Sequence, residues 1–207
     1  MQEKVLRALE EELLEHPEYE EVFATFSNDR SDDGITNTVY RLYQYSRSKR
    51  EPKTWLSNLT ENYSVGSDYA STPFVKTYVK PALIEELSYL VTQYDQLLKD
   101  IELLGAPKHQ AVLEDDLDFV KTILVHIQEE SYVFAYQAFE DRKFKNWSTA
   151  KVDETFKETL DEIKAIREGL KKDFQKIKED YFAISPVVQL QQMTKVNRIL
   201  SKLSDIA

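Results

Sequence analysis

The stretch Val152–Phe182, VDETFKETLDEIKAIREGLKKDFQKIKEDYF, decides the fold class. Phe156, Leu160, Ile163, Ile166, Leu170, Phe174 and Ile177 recur at helical spacing, with Glu, Asp and Lys between them. Such a segment has one apolar stripe and one wet face, and it cannot alternate sides as a strand does. Gly169 costs it about 1 kcal/mol relative to alanine, too little to break so strong a pattern. The heptad-like register over 156–177 suits a coiled coil and an antiparallel pair in a bundle equally well.

The same grammar extends in both directions. Downstream, Ser185-Pro186 caps and opens a last helix over Val187–Leu203. Upstream lies a basic connector with Arg142, Lys143, Lys145 and Trp147. Before it, residues 109–140 carry Leu113, Leu117, Val120, Ile123, Leu124 and Ile127 at helical period and then turn aromatic. Thr72-Pro73 predicts the start of a long helix toward Leu104, which Pro81 should kink or divide. Gly105 and Pro107 end it. Residues 64–71 are small and polar, the stretch expected to be most mobile. Near the start, residues 3–15 read as a helix stopped by His16-Pro17, and Tyr19, Val22, Phe23 and Phe26 as a shorter one. No segment reads as a strand. The expected fold is all-α, a multi-helix, bundle-like arrangement over residues 1–207, read as a single helical subdomain.

Composition agrees. A chain of 207 residues with 42% hydrophobic content suits one domain or two small ones. Four Gly and six Pro are few breakers for this length. The absence of cysteine excludes disulfides, thiolate metal sites and a Cys nucleophile. No apolar run is long enough to span a bilayer, so no membrane role is expected. The net charge of −10 opposes binding to nucleic acid over the whole surface, so any such contact must be a local patch.

The motifs of chemistry are missing. The turn Asp29-x-Ser31-x-Asp33-Gly34 begins like a calcium loop, but the twelfth position, which needs a bidentate Glu, is Tyr40. A capping turn explains it better. His16, His109 and His126 have no metal-type spacing. Acidic pairs such as Asp115-Asp116 and Glu129-Glu130 read as solvated helix surface. The glycines Gly34, Gly66, Gly105 and Gly169 lie too far apart for a phosphate-binding loop. No catalytic residue, cofactor site or metal site is therefore expected in this chain.

Two basic clusters interleave with aromatics: Arg41, Tyr45, Arg47, Lys49, Arg50, Lys53, Trp55, and Arg142, Lys143, Phe144, Lys145, Trp147, Lys151. Such a mixture can hold a phosphate backbone and stack bases of a single strand. The plainer reading is that helix C-termini favour cations and that Trp55 and Trp147 belong to the core.

The stretch Ser27–Tyr63, SNDRSDDGITNTVYRLYQYSRSKREPKTWLSNLTENY, contains the first cluster. It resembles the "DRSDDG…LYxxSRSxxxPxxWL" passage of the A subunit of AddAB/RexAB-type helicase–nucleases. Phe139–Lys151 and the Lys178–Pro186 passage, KEDYFAISP, resemble later parts of the same region in the same order. The resemblance implies an inserted helical subdomain of the first motor domain of a superfamily 1, UvrD-like enzyme. The family's ATP-binding loop and acidic magnesium box would lie outside this chain, which would be a catalytically silent segment. The whole enzyme would be an ATP- and magnesium-dependent helicase and 3′–5′ exonuclease of the bacterial cytoplasm. Paired with a B subunit, it would process double-strand DNA ends for recombinational repair. Within this chain the expected DNA contacts are Arg47, Lys49, Arg50, Arg142, Lys143 and Lys145. The rival expectation is a free-standing helical adaptor that grips a protein partner through an aromatic groove, supplied by 12 Tyr and 10 Phe.

Overall fold

The computed structural model describes residues 15–21, 24 and 33–206. Every regular element among them is helical. The chain divides into two compact units, residues 66–190 and residues 1–65 with 191–207. The helices expected at 3–15 and over most of Tyr19–Phe26 lie outside the described residues, as does most of the acidic turn.

The larger unit is built on α3 (Lys80–Leu103), α4 (Pro107–Gln128) and α6 (Lys157–Phe182), with α5 (Tyr132–Asp141) packed on α4. Leu83, Leu87, Leu90, Tyr94, Leu97 and Ile101 of α3 are buried, a strict alternation of four- and three-residue steps. On α4 the same steps bury His109, Leu113, Asp116, Val120, Ile123 and Ile127. On α6 they bury Leu160, Ile163, Arg167, Leu170, Phe174 and Ile177. These are bundle seams, each side chain filling the gap left by its neighbours. The expected α6 stripe is corrected at one position: Ile166 is half exposed and Arg167 faces the core. Phe156 is also largely outside, in a 3₁₀ turn (Glu154–Phe156) before the helix proper.

Local signals set most boundaries. Pro81 does not divide the long helix; one π-helical turn, Val75–Val79, precedes it and runs directly into α3. Proline has no N–H and crowds the carbonyl four residues back, and a widened turn relieves both. Gly105 stands at φ +59 behind α3, and Pro107 opens α4. Residues 109–140, read as one periodic run, are interrupted. Ser131 N–H reaches His126 O at 2.8 Å and Glu130 N–H reaches Ile127 O at 3.1 Å. This is a Schellman ending with Glu130, φ 60, in the left-handed position usually held by glycine. The polar stretch before the long helix has an anchor: Tyr69 is buried, edge-on to Tyr132 at 5.1 Å between ring centres.

The smaller unit contains α1 (Asp33–Arg47), α2 (Pro52–Ser57), a 3₁₀ turn (Asn58–Tyr63) and the later part of α7 (Pro186–Ile206). Val39, Leu56, Ile199 and Leu203 are buried. Two α7 side chains hold the short elements by their backbone. Ser204 Oγ donates to Leu56 O at 2.8 Å, and Asn197 Nδ2 donates to Thr60 O at 3.0 Å. The α7 cations Lys195 and Arg198 pair with Glu21.

Candidate nucleic-acid interface

The first basic cluster forms where α1 stops. Ser46 Oγ and Ser48 Oγ donate back to the carbonyls of Tyr43 and Tyr45, at 2.7 and 2.6 Å. Ser and Thr in a last turn compete with the backbone in this way. Pro52 then restarts the chain as α2. The result is a tight corner that gathers Arg47, Lys49 and Arg50. Arg47 donates to the Tyr43 hydroxyl at 2.9 Å and lies 5.7 Å above its ring. Lys49 donates to the Tyr45 hydroxyl at 2.9 Å, with its ammonium 4.1 Å from the Tyr45 ring centre and 5.7 Å from that of Trp55. Tyr45 and Trp55 meet edge to face at 5.1 Å. Arg50 is exposed. Trp55, expected in the core, is half-buried against this nest.

The second cluster lies in the larger unit, on the extended connector 142–153 between α5 and α6. Its aromatics turn inward. Phe144 packs on Phe119 and Phe174, at 5.4 and 5.2 Å, inside an aromatic core completed by Phe139 and Phe182. Trp147 lies against His109 at 5.0 Å and under the Arg167 guanidinium at 5.5 Å. Its cations turn outward, but two of the four, Arg142 and Lys145, meet carboxylates of α4. Arg142 bonds Asp118 at 3.0 Å and pairs with Asp115 at 3.3 Å, and Lys145 reaches Asp115 at 2.7 Å. The hydrogen bond from Lys145, joined by the charge of Arg142, holds the Asp115 carboxyl below its usual range. Lys143 is exposed.

Arg167 fixes the connector from beneath. It is wholly buried, bonds Asp116 through Nε at 2.6 Å and Nη2 at 3.2 Å, and donates to Lys145 O at 2.7 Å. Asp116 is therefore core, a correction to the solvated acidic pair expected from sequence. Burial pushes its carboxyl upward while the Arg167 hydrogen bonds pull it back. Spacing alone contained this signal, because both residues fall on the apolar register of their helices. The pairing of Arg142 and Lys145 with Asp115 and Asp118 had no such signal, since the partners lie more than 20 residues apart in the chain.

Among the described residues, no group of three or more His, Asp or Glu is arranged to hold a metal ion. A groove of about 540 Å³ between α3 and α6 is lined by Glu85, Glu86, Tyr89, Asp173 and Lys176. Its glutamate Glu86 already accepts from the Tyr181 hydroxyl at 2.8 Å. The glycine spacing does not fit a nucleotide-phosphate loop, so no step through ATP is assigned to these residues. No described helix is long and apolar enough to cross a membrane.

No protein-family model matches the chain. Among curated proteins it is 28% identical to the A subunit of the ATP-dependent helicase/nuclease of Enterococcus faecalis, in an alignment that takes in the whole chain and 16% of that protein. The corresponding protein of Geobacillus kaustophilus is 26% identical over the whole chain and 17% of its own length. That of Bacillus velezensis is 31% identical over 86% of the chain and 14% of its length. The chain thus spans about 16% of the length of the curated relatives it matches.

Proposed function

Since this chain is homologous from end to end to one segment of the A subunits of ATP-dependent helicase/nucleases, we propose that it serves as a non-catalytic helical subdomain of such an enzyme. The full protein would be an ATP-dependent helicase and 3′–5′ exonuclease. It would act with a B subunit on double-strand DNA ends, in recombinational repair in the bacterial cytoplasm. ATP and magnesium would be held by parts of the protein outside these residues. The homology over the entire chain carries this reading, and favours it over a free-standing adaptor.

The segment's own role is geometric. Each unit presents cations beside a helix end, and a phosphate backbone is held there by charge without any reaction. Arg47, Lys49, Arg50, Arg142, Lys143 and Lys145 are the proposed contacts. With a net charge of −10, contact is confined to these edges. The test is forked-DNA binding by the full complex across a salt series, with these six positions changed to Glu. Affinity should fall, and the salt slope should flatten by about 0.7 to 0.9 for each phosphate no longer neutralised. If both are unchanged, the contacts are misassigned.

A further inference from the structure

We infer that the corner between α1 and α2 is a seat for an unpaired base of a DNA single strand, with the Tyr45 ring as the stacking platform. This rests on the reading above, that the end of α1 touches DNA, and adds which form of DNA it takes. Tyr45 is 55% exposed, so its ring is open to a ligand. It is braced rather than free: Trp55 abuts it at 5.1 Å with the planes at 65°. A ring held in this way loses little further conformational entropy when a base stacks on it.

The surrounding charges suit a single strand. Residues 41–57 carry five cations, Arg41, Arg47, Lys49, Arg50 and Lys53, against one carboxylate, Glu51. Among the described residues, no carboxylate forms an ion pair with Arg47 or Lys49; tyrosine rings and hydroxyls hold them instead. A phosphate displaces such neutral partners far more readily than it displaces a carboxylate. The Lys49 ammonium can therefore leave the Tyr45 face for the backbone as a base takes its place on the ring. Cations tracking the backbone and rings stacking the bases is how single strands are gripped without sequence preference. In a duplex the base faces are already covered by their neighbours, so the ring has nothing to stack on.

The experiment measures binding of the 207-residue chain to a labelled oligothymidylate and to a duplex of equal length, by fluorescence anisotropy across a salt series. The wild-type chain should prefer the single strand. Tyr45→Ala should weaken oligothymidylate binding by about 5- to 150-fold and leave the salt slope alone, because it removes stacking and no charge. Tyr45→Phe should keep the affinity. Arg47→Ala should instead reduce the slope by about 0.7. Binding that Arg47→Ala weakens and Tyr45→Ala does not, or equal affinity for the duplex, overturns the stacking seat and spares the charge contacts. A chain that binds neither oligonucleotide overturns both.

Discussion

Arg167 and Asp116 meet as a two-point ion pair in the core of the larger unit, with both side chains fully buried. Each occupies a seam position that its helix otherwise fills with apolar residues. The guanidinium donates a further hydrogen bond to Lys145 O and lays its face on Trp147. One pair thus ties α4, α6 and the connector together. Desolvating two charges costs about as much as their attraction returns, so the pair's value is in fixing the arrangement rather than in net stability.

Single and double substitution of the pair should therefore differ in cost. Asp116→Leu or Arg167→Met should each lower stability by about 3–5 kcal/mol, because each leaves one charged group buried without its partner. The double variant Asp116→Leu/Arg167→Met should be much closer to wild type than the sum of the two. Urea unfolding followed in the larger unit reads both. Additive losses would mean that the two side chains do not act as a pair.

Much of this fold was legible in sequence because helices declare themselves locally. Most of the stripes of α4 and α6, Gly105 with Pro107, and Pro186 sit where period and turn chemistry place them. Two features escaped for a shared reason: each breaks a residue-type rule. Glu130 takes a left-handed position that glycine usually marks, so the break between α4 and α5 had no flag. Arg167 and Asp116 are charges on an apolar register, and residue type outvoted spacing. The basic clusters were legible as composition. Which of their cations already have carboxylate partners was not, because Asp115 and Asp118 reach them only through the tertiary fold.

Those two aspartates make the connector a muted basic edge. If Arg142 and Lys145 touch phosphate, they do so by giving up Asp115 and Asp118. Asp115→Asn with Asp118→Asn should therefore tighten DNA binding by the chain and steepen its salt slope by about 0.7 to 0.9 for each cation released. The pairs are partly exposed, so the fold should lose no more than about 1 kcal/mol. A weakened or unaltered affinity in an intact fold would remove the connector from the interface.

Alkaline pH should unfold the larger unit through its buried phenols. Burial pushes the Tyr69 hydroxyl up to about 12 and raises Tyr94 and Tyr132 as well. An unfolded tyrosine loses its proton near its ordinary value of about 10. Between about pH 10 and 12 the native state therefore holds more protons than the unfolded chain, so stability falls as pH rises. It is fully present below about 10 and declines by up to about 1.4 kcal/mol per pH unit for each such group. The urea midpoint should drop across that window, in step with tyrosinate absorbance, and Tyr69→Phe should flatten part of the drop. A midpoint indifferent to pH there would show that these hydroxyls are not protected.

Gly169 and Gly105 offer a test in which space is equal and only backbone conformation differs. A Cβ built on either meets no atom within 4 Å. Gly169 lies on the exposed side of α6, in regular helix, where glycine is the poorer choice by about 1 kcal/mol. Gly169→Ala should raise stability by up to that amount, chiefly by restricting the unfolded chain. Gly105 stands at φ +59, where a Cβ crowds the following carbonyl. Gly105→Ala should lower stability by about 1–2 kcal/mol. The two urea midpoints should move in opposite directions from wild type. If both fell, α6 would not be regular helix at 169; if both rose, the left-handed cap behind α3 would be wrong.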